Sequence, residues 1–213
     1  MKLLKKSGCF LLMIVLLREI SLPFFMGFFS SAAGGKTFLL SQLGQAGNPL
    51  HAAFKRWEII DGCLFILSAP YFYDRFKNQF RTAGYLFGSL IAIYGIGDCL
   101  MTAFFVYHHN YFSNWSSFLH AAGSAIGSLA LFVLNFGLLY LAAKTKQTRK
   151  VHFIGNCLLL SSLAVILMES RLFDNDLLIG IFQCLYLDFL YLPVSLLALN
   201  DSLRLVKKLL KHF

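Results

Sequence analysis

Residues 118–143 read FLHAAGSAIGSLALFVLNFGLLYLAA, without one Asp, Glu, Lys or Arg. As a helix this stretch is about 39 Å long at 1.5 Å per residue, more than the roughly 30 Å hydrocarbon core of a bilayer. In water, a rod this apolar would need a large protein core wrapped around it on all sides. The chain has 213 residues, of which 58% are hydrophobic and 14% charged. An ordinary soluble domain carries roughly 25% charge, so polar surface is too scarce here for that class. Disorder is excluded by the same abundance of apolar mass. Lipid is the solvent that this composition fits.

Working outward from that stretch, apolar spans are expected at 8–30, 54–73, 83–106, 118–143, 152–172 and 178–200. At about 20 residues apiece, six helices take up roughly 120 residues and leave short connections. The predicted fold is therefore all-α: a polytopic membrane helix bundle of six transmembrane helices. Residues 1–200 form its single domain and 201–213 a tail. The first span is the least regular, because Arg18 and Glu19 interrupt it and Pro23 follows. Its basic start, the short apolar run Cys9–Leu17 and the small residues Ser31-Ala32-Ala33 also fit a cleaved secretory signal, which would leave five spans. Apolar residues resume from Ile20 to Phe29, which predicts a retained span.

Orientation follows from the basic residues. With the amino terminus in the cytoplasm, that side receives Lys2, Lys5 and Lys6, then Arg75, Lys77 and Arg81. It also receives Lys144, Lys146, Arg149 and Lys150, and finally Arg204, Lys207, Lys208 and Lys211. Loop 107–117 has no Lys or Arg, and loop 173–177 carries Asp174 and Asp176. Such alternation is the positive-inside pattern with both termini cytoplasmic, in a cell inner (plasma) membrane. Lys36, Lys55 and Arg56 fall on the other side and read as interface anchors, with capture of an anionic head group near the cavity as the alternative. In the tail, Leu203, Val206, Leu209, Leu210 and Phe213 recur at helical spacing opposite four basic residues, which predicts a basic amphipathic helix on the inner leaflet. The net charge of +9 is thus a membrane-topology signal, and no nucleic-acid partner is expected.

Several short motifs lead nowhere. Gly34-Gly35-Lys36-Thr37 lacks the first glycine of a phosphate loop, since position 30 is Ser30, and it follows a span, not a strand. Asn114-Trp115-Ser116 is a glycosylation sequon in an expected outer loop. The cysteines Cys9, Cys63, Cys99, Cys157 and Cys184 all lie in apolar stretches without a CxxC pair, and read as buried free thiols.

Ionisable residues inside spans are more telling, because each costs roughly 3 kcal/mol unless paired or wet. Arg18 and Asp188 both fall near the middle of their spans and are the expected midplane ion pair, with Arg18–Glu19 and local water as the competitor. Glu58 and Asp61 lie three residues apart on one helical face. With Asp98, His120 and Glu169, and with His108 and His109 in the adjoining loop, they predict a polar cavity open outward. Glu58, Asp61, Asp98 and His120 are the candidates for ligand binding or proton relay. In the fourth span, His120, Ser124, Gly127, Ser128 and Asn135 share a stripe that should face the bundle. The row Gly84, Gly88, Ala92 and Gly95 suggests that the third span packs on the fourth, bringing Asp98 near His120. Such a pair can hold a base, relay a proton or bind a metal, or it can simply fix the packing. Zinc would need a third ligand from His108, His109 or Asp61, and no HxxxH or HExxH spacing exists. Neither a metal nor a cofactor is expected.

Two local patterns carry a family resemblance. Leu40-Ser41-Gln42-Leu43-Gly44-Gln45 is followed by Asn48-Pro49 and a span; Gly95-Ile96-Gly97-Asp98 is followed by His120-Ala121-Ala122-Gly123 opening the next. With the six-span layout and long first outer loop, this resembles a bacterial membrane family catalogued as domain of unknown function 998. That family's loop typically reads like Ile-Ser-Glu-Leu-Gly before a Pro, and Gln42 stands where it has an acid. The resemblance implies architecture and a bacterial inner membrane, and no activity. Asp98, His120 and Ser124 are only superficially similar to the set used by seven-span zinc hydrolases, since in-span histidines are too few and one span is missing. The expected function is that of a non-enzymatic integral membrane protein whose outward polar cavity binds a small or lipid ligand. A proton-coupled transporter titrating Asp61, Asp98 and His120 is the alternative, and an intramembrane metal-dependent hydrolase the third reading. Expected partners are membrane lipids, with a homo-oligomer left open.

Overall fold

A computed structural model describes residues 2–27, 40–78, 80–108, 114–170 and 176–211. The Ser31-Ala32-Ala33 and Gly34–Thr37 stretches, His109, Arg171 and Asp174 lie outside the described residues. Helix α1 spans Lys2–Leu22 and runs on through a π turn, Pro23–Gly27; α2 is the short Leu40–Leu43; α3 spans His51–Phe76. Helix α4, Arg81–Tyr94, continues as a π-helical segment, Gly95–Met101, into α5, Thr102–Phe104. Helices α6 (Trp115–Lys144), α7 (Thr148–Glu169) and α8 (Asp176–Leu210) complete the chain.

The protein is a polytopic membrane protein. Five stretches are long and apolar enough to cross a bilayer: Ser7–Phe25, Arg81–Phe104, Trp115–Lys144, Thr148–Glu169 and Leu178–Lys208. Large apolar side chains cover their outer faces, with Leu129, Tyr140, Leu159 and Ile166 each more than 60% exposed. A water-soluble surface does not carry so many. Helix α3 falls outside this set because Lys55, Arg56, Glu58 and Asp61 crowd its first three turns. Two of those charges point inward, however, for Glu58 and Asp61 are buried, whereas Ile60, Cys63 and Leu67 lie exposed on the opposite face.

Helix α3 packs against α1, α4 and the π segment; α6 packs against α4, the π segment and α7; α8 packs against α1 and α7. Cys9, Leu12, Val15 and Leu16 bring α1 into the main core with Phe65, Ile91, Leu131 and Val194. Polar groups on the inward faces tie the helices together. Asn135 Nδ2 donates to the carbonyl of Leu190 at 2.9 Å and Ser161 Oγ to that of Tyr186 at 3.0 Å, anchoring α6 and α7 to α8. At the basic end, Asp201 accepts from Tyr71 OH at 2.9 Å and pairs with Arg75, locking α3 to α8. The amphipathic tail is not a separate helix. It prolongs α8 to Leu210, since no Gly or Pro follows Pro193 to interrupt the helix.

The glycine row of the third span packs differently from expectation. A Cβ at Gly84 or Gly88 would meet the backbone of Tyr73 or Ala69, and one at Gly95 the carbonyl of Gly62, so this face lies on α3. Contact with α6 is made instead by Gly97, whose added Cβ would fall 2.6 Å from the Gly123 carbonyl. The π segment is thus pressed between two helices, Gly62 and Gly95 on one side and Gly97, Gly123 and Gly127 on the other. The extra residue in a π turn rotates the side chains beyond it, and Asp98 lies at the middle of this one. The stripe predicted for α6 does face inward: His120, Gly127 and Asn135 are buried, and Ser124 and Ser128 partly so.

A methyl at Gly127 would sit 2.5 Å from the backbone nitrogen of Asp98, whereas one at Gly155 would meet nothing within 4 Å. Gly127→Ala is expected to lower stability in detergent by roughly 2 kcal/mol. Gly155→Ala should hold it, or raise it by up to about 1 kcal/mol. Thermal unfolding of the two variants checks this, and equal melting temperatures would contradict the sandwich.

Candidate functional site

Near one end of the bundle, a cavity of about 40 Å³ is lined by Glu19 of α1, Glu58 of α3, Asp98 of the π segment, His120 and Ser124 of α6, and Gln183 and Tyr186 of α8. That volume holds a few waters at most. Residues 40–50, which lead into α3, pack beside it. Leu40 lines the cavity, its backbone N–H donates to Gln183 Oε1 at 3.0 Å, and Gln45 bridges to Tyr107, which packs on the His120 ring at 5.6 Å. Within the loop, Asn48 Nδ2 donates to the Gln42 carbonyl at 3.0 Å and His51 Nδ1 lies 3.1 Å from that of Gly44.

Asp98 accepts from Ser124 Oγ at 2.6 Å and from Tyr94 OH at 3.0 Å, with Tyr94 one α-helical turn before it. Tyr94 OH in turn bonds Tyr191 OH, and Tyr191 OH donates to Glu19 Oε2 at 3.0 Å. A continuous polar chain, Glu19–Tyr191–Tyr94–Asp98, therefore crosses from α1 through α8 to the π segment. Each tyrosine has a single hydroxyl proton. Two protons cannot fill three links, so one carboxyl at an end of the chain must supply a third for all three to be hydrogen bonds.

The other sequence candidates fall around this chain. Arg18 pairs with Asp61, and its guanidinium lies 4.1 Å from the Trp57 ring centroid. The expected Arg18–Asp188 pair does not form: Asp188 is half-buried on α8, without an ion pair among the described residues. Asp61, one turn from Glu58 on the inward face of α3, reaches Arg18 first, and α1 packs directly on α3. Glu19 Oε1 and Asp61 Oδ2 are both buried and meet no donor among the described residues.

His120 lines the cavity but works locally. Its Nδ1 lies 2.9 Å from the Phe105 carbonyl, so the ring satisfies the last turn of α5, where helix carbonyls lack intrahelical partners. Asp98 is held by Ser124 and Tyr94, not by His120. Glu169 is exposed at the end of α7, away from the cavity, and the His108 backbone N–H donates to Ser117 Oγ. Asn114, in the sequon, is the N-cap of α6, its Oδ1 accepting from Ser117 N at 2.8 Å.

Sequence reasoning missed Glu19 as a cavity residue, and both tyrosines. It also missed Cys99, whose Sγ lies with carboxylate oxygens of Glu19 and Glu58 inside a 4.8 Å cluster capable of holding a metal ion. Two carboxylates and a thiolate suit a zinc-like cation better than calcium or magnesium, which prefer all-oxygen sites.

Over residues 20–200 the chain matches the family described as protein of unknown function, DUF998. It belongs to that family. Within the DUF998 region lie residues 40–50, the π segment with Asp98 and the opening of α6. No curated protein and no solved structure matches the chain.

Removing one partner of this partly buried ion pair strands the other charge, at a cost of up to about 3 kcal/mol. Asp61→Asn is expected to lose stability on that order, and Arg18→Gln added to it should recover part of the loss. Arg18→Gln with Asp188→Asn should instead be additive. Melting curves of the two double-mutant cycles decide between the partners.

Proposed function

We propose that this DUF998 protein is a non-enzymatic membrane protein with six spans and both termini cytoplasmic, whose outward-facing cavity takes up a proton on the Glu19–Tyr191–Tyr94–Asp98 chain. Helix α3 is the sixth span. Its lipid-facing surface is apolar at Ile60, Cys63 and Leu67 while its charges turn inward, which is how polar residues sit in hydrocarbon. The excess of Lys and Arg at the opposite end from the cavity supports an inner (plasma) membrane location with the cavity toward the outside. Lipids are its surroundings, and nucleic acid is not among its partners.

The observation that carries the reading is the proton shortfall: three links between four side chains, and two hydroxyl protons to fill them. The size of the cavity supports it too. About 40 Å³ leaves no room for a lipid or a metabolite, so the ligand is a proton, with water alongside. His120 Nδ1 is held by the Phe105 carbonyl and Asp98 by two hydroxyls, which supports structural roles for both side chains.

Infrared difference spectra of the purified protein across a pH jump test this. A carboxylic-acid carbonyl band is expected, abolished or shifted by Asp98→Asn or Glu19→Gln and shifted by Tyr191→Phe, which keeps the ring. Exposed Glu169→Gln should leave it unmoved. A spectrum without such a band, or one indifferent to all three chain variants, overturns the reading. The second reading, a divalent cation held by Glu19, Glu58 and Cys99, rests on the donor cluster. It predicts about one zinc per chain, weakened at least tenfold by Glu58→Gln.

Topology has its own test. A membrane-impermeant maleimide should label Ala46→Cys in intact cells and reach Gln147→Cys only after permeabilisation. Labelling of Gln147→Cys from outside would reverse the orientation.

A further inference from the structure

At the other end of the bundle, a second cavity of about 460 Å³ opens between α6, α7 and α8 beside the end of α3. Its size falls within the roughly 300–1,000 Å³ of small-molecule sites. The walls are apolar, formed by Phe76, Phe80, Leu138, Leu141, Ile154 and Leu197. Its rim is cationic, with Arg75, Arg149, Lys150 and Arg204 against a single acid, Asp201. Arg75 and Arg204 already share Asp201. Arg149 and Lys150 are exposed and have no ion pair among the described residues. Two cations thus stand uncompensated at the mouth of a hydrocarbon-lined hole. Phe153 and Leu196, also in its lining, are 36% and 41% exposed, so the opening has an apolar edge on the face presented to lipid.

We infer that this cavity is a binding site for one anionic phospholipid, its phosphate head group held by Arg149 and Lys150 and its acyl chain lying between α6, α7 and α8. Charge and shape together select the occupant. A zwitterionic lipid would satisfy the apolar walls but bring its own cation to a rim that already has four. A free phosphate would satisfy the rim and leave the walls empty. Basic pockets between membrane helices are suited to anionic head groups, and each basic side chain near the surface adds to the attraction. Pro193, in the α8 wall, removes a backbone hydrogen bond there and so loosens the helix beside the cavity. This site shares no residue with the acidic cavity, and its lipid does not depend on the proton reading.

Native mass spectrometry of the purified full chain, with phosphatidylglycerol or phosphatidylcholine added, tests the assignment. One phosphatidylglycerol per chain should be retained, with affinity roughly tenfold or more above phosphatidylcholine. Arg149→Gln/Lys150→Gln, at two exposed positions that leave the core untouched, should bring the two lipids level. Lys207→Gln/Lys208→Gln removes two exposed charges beyond the cavity and should preserve the preference. Excess inorganic phosphate should not displace the lipid. Equal retention of both lipids by the unsubstituted chain overturns the site, as does an equal effect of the two double variants. Displacement by phosphate reduces it to a simple anion site and overturns the lipid assignment as well.

Discussion

The hydrogen-bonded chain from Glu19 through Tyr191 and Tyr94 to Asp98 is the contact on which the arrangement of helices depends. Hydrocarbon offers no water to satisfy a stray polar group, so a carboxylate inside the bundle is stabilised by a partner from another helix. Ser124 extends the chain into α6, and the Arg18–Asp61 pair beside it adds α3. Helices α1, α3, α6 and α8 and the continuous α4–π segment are therefore tied together. The glycines that flank the π segment serve the same end. Gly97 and Gly127 let two backbones approach closely enough for Asp98 to reach Ser124, and a side chain at either would push α6 away.

The two ends of the molecule differ in chemistry. One carries a cavity the size of a few waters, walled by carboxylates, with Leu40 in its lining and no Lys or Arg there among the described residues. The other carries a cavity about ten times larger, apolar within and basic at its rim. Asp201 stands at the junction of α3 and α8 in the second, holding Tyr71 and Arg75. Helices α3 and α8 take part in both sites, so any tilt of one against the other would be felt at both ends.

Much of this is legible in the residues themselves. The uncharged run from Phe118 to Ala143, the other apolar stretches and the inward stripe of α6 follow from hydropathy and helical periodicity, which are local properties. Glu58, Asp98 and His120 can be placed around one cavity because depth along a span is counted from its ends. Partner choice is not legible in this way. Equal depth pairs Arg18 with Asp188, but depth says nothing about which helices are neighbours, and α1 lies against α3, with Asp61 facing it. The glycine row of α4 points to the wrong neighbour for the same reason.

Tyr94 and Tyr191 read as ordinary apolar residues, since no spacing distinguishes a tyrosine whose hydroxyl bridges two carboxylates from one that packs in a core. The amino-acid sequence by itself determined the solvent of this protein and which face of α6 turns inward, because these depend on composition and on a fixed 3.6-residue period. Only the tertiary structure decided the register of Asp98, set by a π segment squeezed between two glycine contacts, and the identity of each charge's partner. Those depend on distances between helices far apart in the chain, which no local pattern encodes.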